Sequence, residues 1–195
     1  CSGLVGSEMC IRDRVNSQSG RFLSDALPSQ LVFDHAIVLV RLAGRNYWID
    51  PTRSYQLGDL EHLFQPDYDY ALVVAENDGG LRKMSDDIQV VHSKQVEEFF
   101  DISGEVDAPV PYRIHSRYDR YYADSQRERL AETDAESLQK SYLNYMARYY
   151  PSIEVADEIR VEDDPLNNRI EITEHYKIPG GWKAQGESGY VSMTF

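Results

Sequence analysis

His35 opens the apolar run His-Ala-Ile-Val-Leu-Val-Arg-Leu, and Asp50 closes the run Arg-Asn-Tyr-Trp-Ile-Asp just before Pro51 and Thr52. These two side chains have the types and the spacing for catalytic work. An imidazole lowers the pKa of a neighbouring thiol and takes its proton, because the thiolate is the nucleophile. A carboxylate on the other ring nitrogen fixes the tautomer and steadies the imidazolium. His35 and Asp50 are therefore candidates for two of the three groups of a Cys-His-Asp acyl-transfer site. The same pattern also fits a hydrogen-bonded polar pair at the end of a hairpin, with no catalytic role.

The flanking residues must hold the pair as a hairpin. Ala36 to Leu42 is apolar and β-branched apart from Arg41, and Tyr47 to Ile49 is aromatic and β-branched, so both suit strands. Ala43-Gly44 fits a two-residue turn. Leu42 then pairs with Arg45, Val40 with Tyr47, Val38 with Ile49 and Ile37 with Asp50. Alternation puts His35 on the face of Ile37, diagonal to Asp50, about 7–8 Å away at the backbone and within side-chain reach. A one-residue slip would send the two groups to opposite faces. Pro51 has no N–H to donate and ends the ladder. Trp48 shares a face with Asp50 and fits either a site wall or ordinary packing. Asp34 is a candidate for shaping the surroundings of His35.

Composition narrows the function classes. The chain of 195 residues carries a formal net charge of −13, which opposes nucleic-acid binding, since that rests on neutralising phosphates with Lys and Arg. No apolar run approaches the roughly 20 residues of a membrane span. With 42 % hydrophobic and 11 % aromatic residues it can build cores, and its length allows one or two domains. The two cysteines, Cys1 and Cys10, lie in the first ten residues, so a disulfide framework and a thiolate metal site are not expected.

The rest of the chain reads as two units with a boundary near Met84 to Asp87. Val15 to Ser29 reads as a polar surface loop, Leu57 to Phe64 as a short helical turn, and Tyr70 to Ala75 as a buried strand turned back by Asn77-Asp-Gly-Gly. In the second unit, Ile88 to Ile102 alternates as one or two strands and Val110 to Tyr118 as another. Ala123 to Leu130 is helical in composition. Thr133-Asp-Ala-Glu136 predicts a capping box. Leu138, Tyr142, Tyr145 and Tyr149 predict one packed helix face, which Pro151 ends. Ile153 to Glu162 and Arg169 to Ile178 predict a hairpin. Strands around a helical hairpin indicate an α+β class.

Other constellations are weaker. Glu162-Asp163-Asp164 lacks the alternating ligands and glycine of a calcium loop and reads as a solvated turn. His62, His92, His115 and His175 show no metal-ligand spacing, so no metal is expected. No signal singles out a glycosidase-like carboxylate pair.

Leu27-Pro28-Ser29, Phe33-Asp34-His35 with its strand, and Tyr47-Trp48-Ile49-Asp50-Pro51-Thr52 together resemble the second half of a bacterial transglutaminase-like core. In that family the catalytic histidine opens one strand and the catalytic aspartate closes the next, before Pro-Thr. The later part of the chain resembles the domain that follows this core in a family of large bacterial proteins, and the likeness spans most of residues 24 to 182. The resemblance implies an antiparallel sheet half of a papain-like core over residues 15–86, followed by a β-rich α+β domain over 87–195. It implies His35 as general base and Asp50 as its orienting carboxylate. A thioester would pass an acyl group from a protein or peptide substrate to water, as in a peptidase or amide hydrolase, or to an amine, as in an acyltransferase. No cofactor is implied, and the setting would be the periplasm or envelope of a Gram-negative bacterium.

The family's cysteine lies upstream, in a Gly-Asp-Cys-Lys-Asp-like motif some tens of residues before the histidine. Cys10 lacks that context and stands only 25 residues before His35. Leu4 to Asp13 also resembles the translation of a transposase adapter used in short-read library preparation: CTC GTG GGC TCG GAG ATG TGT ATA AGA GAC encodes those ten residues. Residues 1–14 are accordingly read as an adapter-derived artefact, to be left out of fold and function. The expectation is a fragment that carries the catalytic histidine and aspartate, lacks the nucleophile and is inactive alone. The alternatives are a non-catalytic scaffold of the same fold, and an envelope interaction module built on the second unit.

Overall fold

The computed structural model describes residues 11–75, 79–86, 93–185 and 190–193. The chain divides into two compact units, one of residues 1–54 with 63–91 and one of 55–62 with 92–195. Both are built on antiparallel sheets, and the described residues contain two α-helices, so the class is a β-rich α+β.

The first unit is a five-stranded sheet in the order β3-β2-β1-β4-β5. Its strands are β1 (Ile11–Val15), β2 (His35–Leu42), β3 (Arg45–Ile49), β4 (Tyr70–Val73) and β5 (Gly80–Lys83). The β2–β3 hairpin has the register expected from the sequence, with Val38 opposite Ile49, Val40 opposite Tyr47 and Leu42 opposite Arg45. Ala43 (φ 49°) and Gly44 (φ 79°) both take positive φ, the backbone of a primed hairpin turn that matches strand twist. Alternate side chains of the sheet, Ile37, Leu39, Trp48, Val15, Ala71 and Val73, form a buried cluster with Met84. Each fully buried aliphatic side chain of this kind contributes about 1.5–3 kcal/mol.

The central strand corrects one expectation. Residues 11–14 do not stand outside the fold, because β1 lies between β2 and β4, with Asp13 opposite Ile37 and Val15 opposite His35. Asp13 is fully buried, and its carboxylate accepts from the Leu39 and Val74 amides, both at 3.0 Å. A sheet centre needs a paired backbone on both sides, and this segment supplies it whatever its origin.

The second unit is a four-stranded sheet in the order β6-β7-β9-β8, with β6 (Lys94–Phe100), β7 (Val110–Asp119), β8 (Glu154–Asp164) and β9 (Arg169–Ile178). A further pair, β10 (Trp182–Gln185) and β11 (Tyr190–Met193), stands apart from it. Helices α1 (Tyr121–Glu132) and α2 (Ala135–Met146) lie between β7 and β8 in sequence. Strict alternation along β7 and β9 turns Tyr112, Ile114, Tyr118, Ile170, Ile172 and Tyr176 into two buried clusters, with Leu143 and Met146 on one and Tyr142 on the other.

Several local expectations are revised. Leu57 to Phe64 is not helical: Gly58 takes φ 115°, and the Asp59 carboxylate caps the Glu61 and His62 amides, closing a turn instead. Helix α2 is capped by Asp134 rather than Thr133. Asp134 accepts from the Ser137 amide at 2.9 Å, while Thr133 ends α1. The buried stripe of α2 passes through Leu138 and Met146. Tyr145 and Tyr149 are 53 % and 60 % exposed and pack edge-to-face on each other. The helix ends at Met146, ahead of Pro151. Glu162-Asp163-Asp164 belongs to β8 instead of a solvated turn, and Asp163 is gripped by Arg127 at 2.7 Å. Asn77-Asp-Gly-Gly and Ile88 to His92 lie wholly or partly outside the described residues.

Candidate active site

His35 is the first residue of β2, and its backbone is fixed opposite Val15 of the central strand. Asp50 is the first residue after β3. Their shared face and diagonal offset bring His35 Nε2 to 2.8 Å from Asp50 Oδ2. Asp50 is 3 % exposed, and the histidine side chain is 25 % exposed.

The exit from β3 secures the carboxylate. Pro51 and Thr52 turn the chain so that the Thr52 amide (3.0 Å) and hydroxyl (2.7 Å) both donate to Asp50 Oδ1. The Tyr68 hydroxyl makes a longer 3.4 Å contact with Oδ2. Four donors thus converge on one side chain that offers about four acceptor positions when ionised. Burial works against the charge on Asp50. The Thr52 hydroxyl, the His35 ring and the Thr52 amide outweigh it, and the carboxyl is held below its ordinary value.

An ionised carboxylate accepts only, so Nε2 carries the proton in this contact. Nδ1 of a neutral His35 is then a lone-pair acceptor, with no partner among the described residues. That is the state a general base requires. Tyr68 remains a donor, because burial and the neighbouring Asp50 charge raise its pKa. Its ring meets the imidazole edge-to-face, with centroids 6.1 Å apart.

The other candidates fall elsewhere. Trp48 is 3 % exposed and packs in the core with Ile37 and Leu39. Asp34 accepts from the Ser17 amide and hydroxyl, which, with the His35 ring nearby, hold its pKa below the ordinary value. Cys1 and Cys10 lie outside the described residues, as does His92. His62 pairs with exposed Asp59 in the second unit. His115 and His175 lie on β7 and β9 of its sheet. Among the described residues no three His, Cys, Asp or Glu side chains converge as metal ligands.

Two contributors were not singled out from the sequence. Thr52 had a local signal, since a hydroxyl two residues after an aspartate suits a side-chain-capped turn. Tyr68 had none: it lies 18 residues beyond Asp50, and only the sheet brings it back.

Comparison of the chain with family models, with curated proteins and with solved structures finds no match.

Proposed function

We propose that the first unit carries the general-base half of a transglutaminase-like cysteine enzyme. His35 would draw the proton from a thiol and return it to the leaving group, and Asp50 would hold the imidazole in the required tautomer. The carrying observation is the His35–Asp50 contact itself: 2.8 Å, on Nε2, with the carboxylate saturated by Thr52 and Tyr68 and Nδ1 left as the acceptor. A buried carboxylate held ionised beside an imidazole supports that reading.

In this reading the thiolate attacks a carboxamide or peptide carbonyl, a C–S bond forms, and the amine departs with the proton from Nδ1. Water or a second amine then attacks the thioester, His35 removes its proton, and the thiol is regenerated. The chemistry needs no cofactor. The nucleophile would be a cysteine on a segment preceding His35. Cys10, in its adapter-like context, is not proposed for that role. Protein or peptide substrates and an envelope location belong to the same proposal.

The test uses the source gene and one reagent. The sequence upstream of residue 15 in its genome should encode a Gly-x-Cys-x-Asp-like motif. In the protein that carries it, iodoacetamide should alkylate that cysteine about tenfold or more faster at pH 7 than in the His35→Ala variant. Absence of the motif, or equal alkylation rates, would leave a non-catalytic scaffold. For the 195-residue chain, amidase activity that survives substitution of Cys1 and Cys10 would refute the proposal.

A further inference from the structure

The His35 ring has a weak point. It stands on the first residue of a strand and is a quarter exposed, and the terminal torsion of a histidine has a broad energy well. One hydrogen bond to Asp50 sets the distance and leaves the ring plane undetermined. Thr52 fixes only Oδ1 of the carboxylate, so Oδ2 could swing about that anchor.

Tyr68 supplies both missing constraints. Its hydroxyl reaches Oδ2 from a second direction, at 3.4 Å against 2.8 Å for His35. At that length the hydroxyl is a weak second donor to Oδ2, and the shorter bond to the imidazole stays dominant. Its ring lies at 75° to the imidazole, which limits rotation of the His35 ring.

The backbone around Tyr68 is built to hold it there. The Tyr70 amide donates to the Tyr68 carbonyl at 2.8 Å across Asp69, which takes φ 63°. This is a tight three-residue turn of the strained kind, directly before β4. The Met84 amide locks it by donating to the Asp69 carbonyl at 2.8 Å. Gly20, buried in the turn after β1, passes so close that a Cβ there would sit 1.8 Å from the Tyr68 carbonyl oxygen. Only glycine fits, and the approach fixes where the tyrosine backbone can be.

We propose that Tyr68 is a positioning residue for the His35–Asp50 pair, and that the contact of Gly20 with the Tyr68 carbonyl sets its place. It touches no substrate in this role. It acts by keeping the carboxylate and the imidazole coplanar enough for Nε2 to stay protonated and Nδ1 to stay an acceptor. The inference rests on the pair being a general-base unit, but its test reads the pair in this chain and needs no thiol. A negative result would remove Tyr68 from the machinery and leave the acyl-transfer proposal to the alkylation test.

The experiment is long-range proton–nitrogen correlation of the histidine rings in the full 195-residue chain, with His35 assigned by His35→Gln. Wild type should show one Nε2-protonated tautomer with a slowly exchanging Nε2 proton. Tyr68→Phe keeps the aromatic ring. It should preserve the ring contact with His35 while speeding Nε2 proton exchange about fivefold, the loss of one hydrogen bond. Tyr68→Leu should in addition mix the tautomers. Gly20→Ala should reproduce the leucine result with the tyrosine intact. A purely structural role would lower stability in urea without moving the ring signals of the folded protein. Unchanged tautomer and exchange in folded Tyr68→Phe would overturn the proposal, and Tyr68→Phe decides it if the other variants do not fold. A folded Gly20→Ala with wild-type His35 signals would overturn the part assigned to Gly20.

Discussion

Asp50→Asn tests the logic of the candidate site at its centre. The substitution replaces one acceptor oxygen by an NH2 group. On the Oδ1 side, the Thr52 amide can only donate, so the asparagine carbonyl must face it. On the Oδ2 side, the imidazole and the Tyr68 hydroxyl can both switch to accepting. The NH2 therefore turns towards His35, forces Nε2 to accept, and moves the ring proton to Nδ1. The nitrogen proposed as the base then has no lone pair. In a protein that carries the nucleophile this should cost about 10²–10⁴ in rate, the usual worth of a general base. For stability, hydrogen bonds to a charged acceptor, worth about 1.5–3 kcal/mol each, become neutral ones worth about 1, and the lower cost of burying a neutral amide offsets part of that loss, so a net loss of roughly 1–3 kcal/mol is expected. The loss should depend on pH with a definite sign. Asp50 binds its proton less tightly when folded than when unfolded. Its contribution is thus present above the ordinary carboxylate value of about 3.9 and disappears as pH falls through the lower folded value. Urea titrations should show a gap between wild type and Asp50→Asn that closes as pH falls below the ordinary carboxylate range. Nitrogen shifts at pH 8 should place the ring proton on Nδ1 in the variant. Retention of the Nε2 proton, or a stability gap that persists undiminished in acid, would refute this account of the site.

Three further outcomes follow from buried charges elsewhere. Asp13→Ala should destabilise the first unit by about 2–6 kcal/mol in urea, since it strands the Leu39 and Val74 amides at about 1–3 kcal/mol each; an effect under 1 kcal/mol would mean that water replaces the carboxylate. Arg127 is buried and donates to Asp124, Asp163 and Asn168, so Arg127→Met should cost about 3–5 kcal/mol, measured as a fall in the urea midpoint. Burial raises the proton affinity of Glu174, opposed by its hydrogen bond from Tyr176. Its folded value lies above the unfolded one, so wild-type stability should fall as pH rises from the ordinary carboxylate range through the folded value, and Glu174→Gln should remove that slope in denaturant melts recorded from pH 4 to 8.

Where the information was local, the sequence carried the structure. The β2–β3 register could be read because period-two alternation, a two-residue turn and Pro51 all act within a few residues. The β8–β9 hairpin and both α-helices were legible for the same reason. Boundaries were less so: Asp134 displaced Thr133 as the cap of α2, a choice of one residue that backbone geometry makes. The tyrosine stripe does not pack at Tyr145 and Tyr149, because period alone does not locate the centre of a helix's buried face.

The sequence by itself determined that His35 and Asp50 would share a face at the end of one hairpin, since both lie on strands whose pairing is set by the turn between them. The tertiary structure alone decided which ring nitrogen meets the carboxylate. It also decided that Tyr68 closes on the pair from 18 residues away, that Gly20 fixes Tyr68, and that residues 11–15 are the centre of the sheet. The physical reason is range. Alternation and turn chemistry act between neighbours, whereas ring orientation, carboxylate saturation and the choice of a central strand depend on segments that meet only when the sheet has assembled.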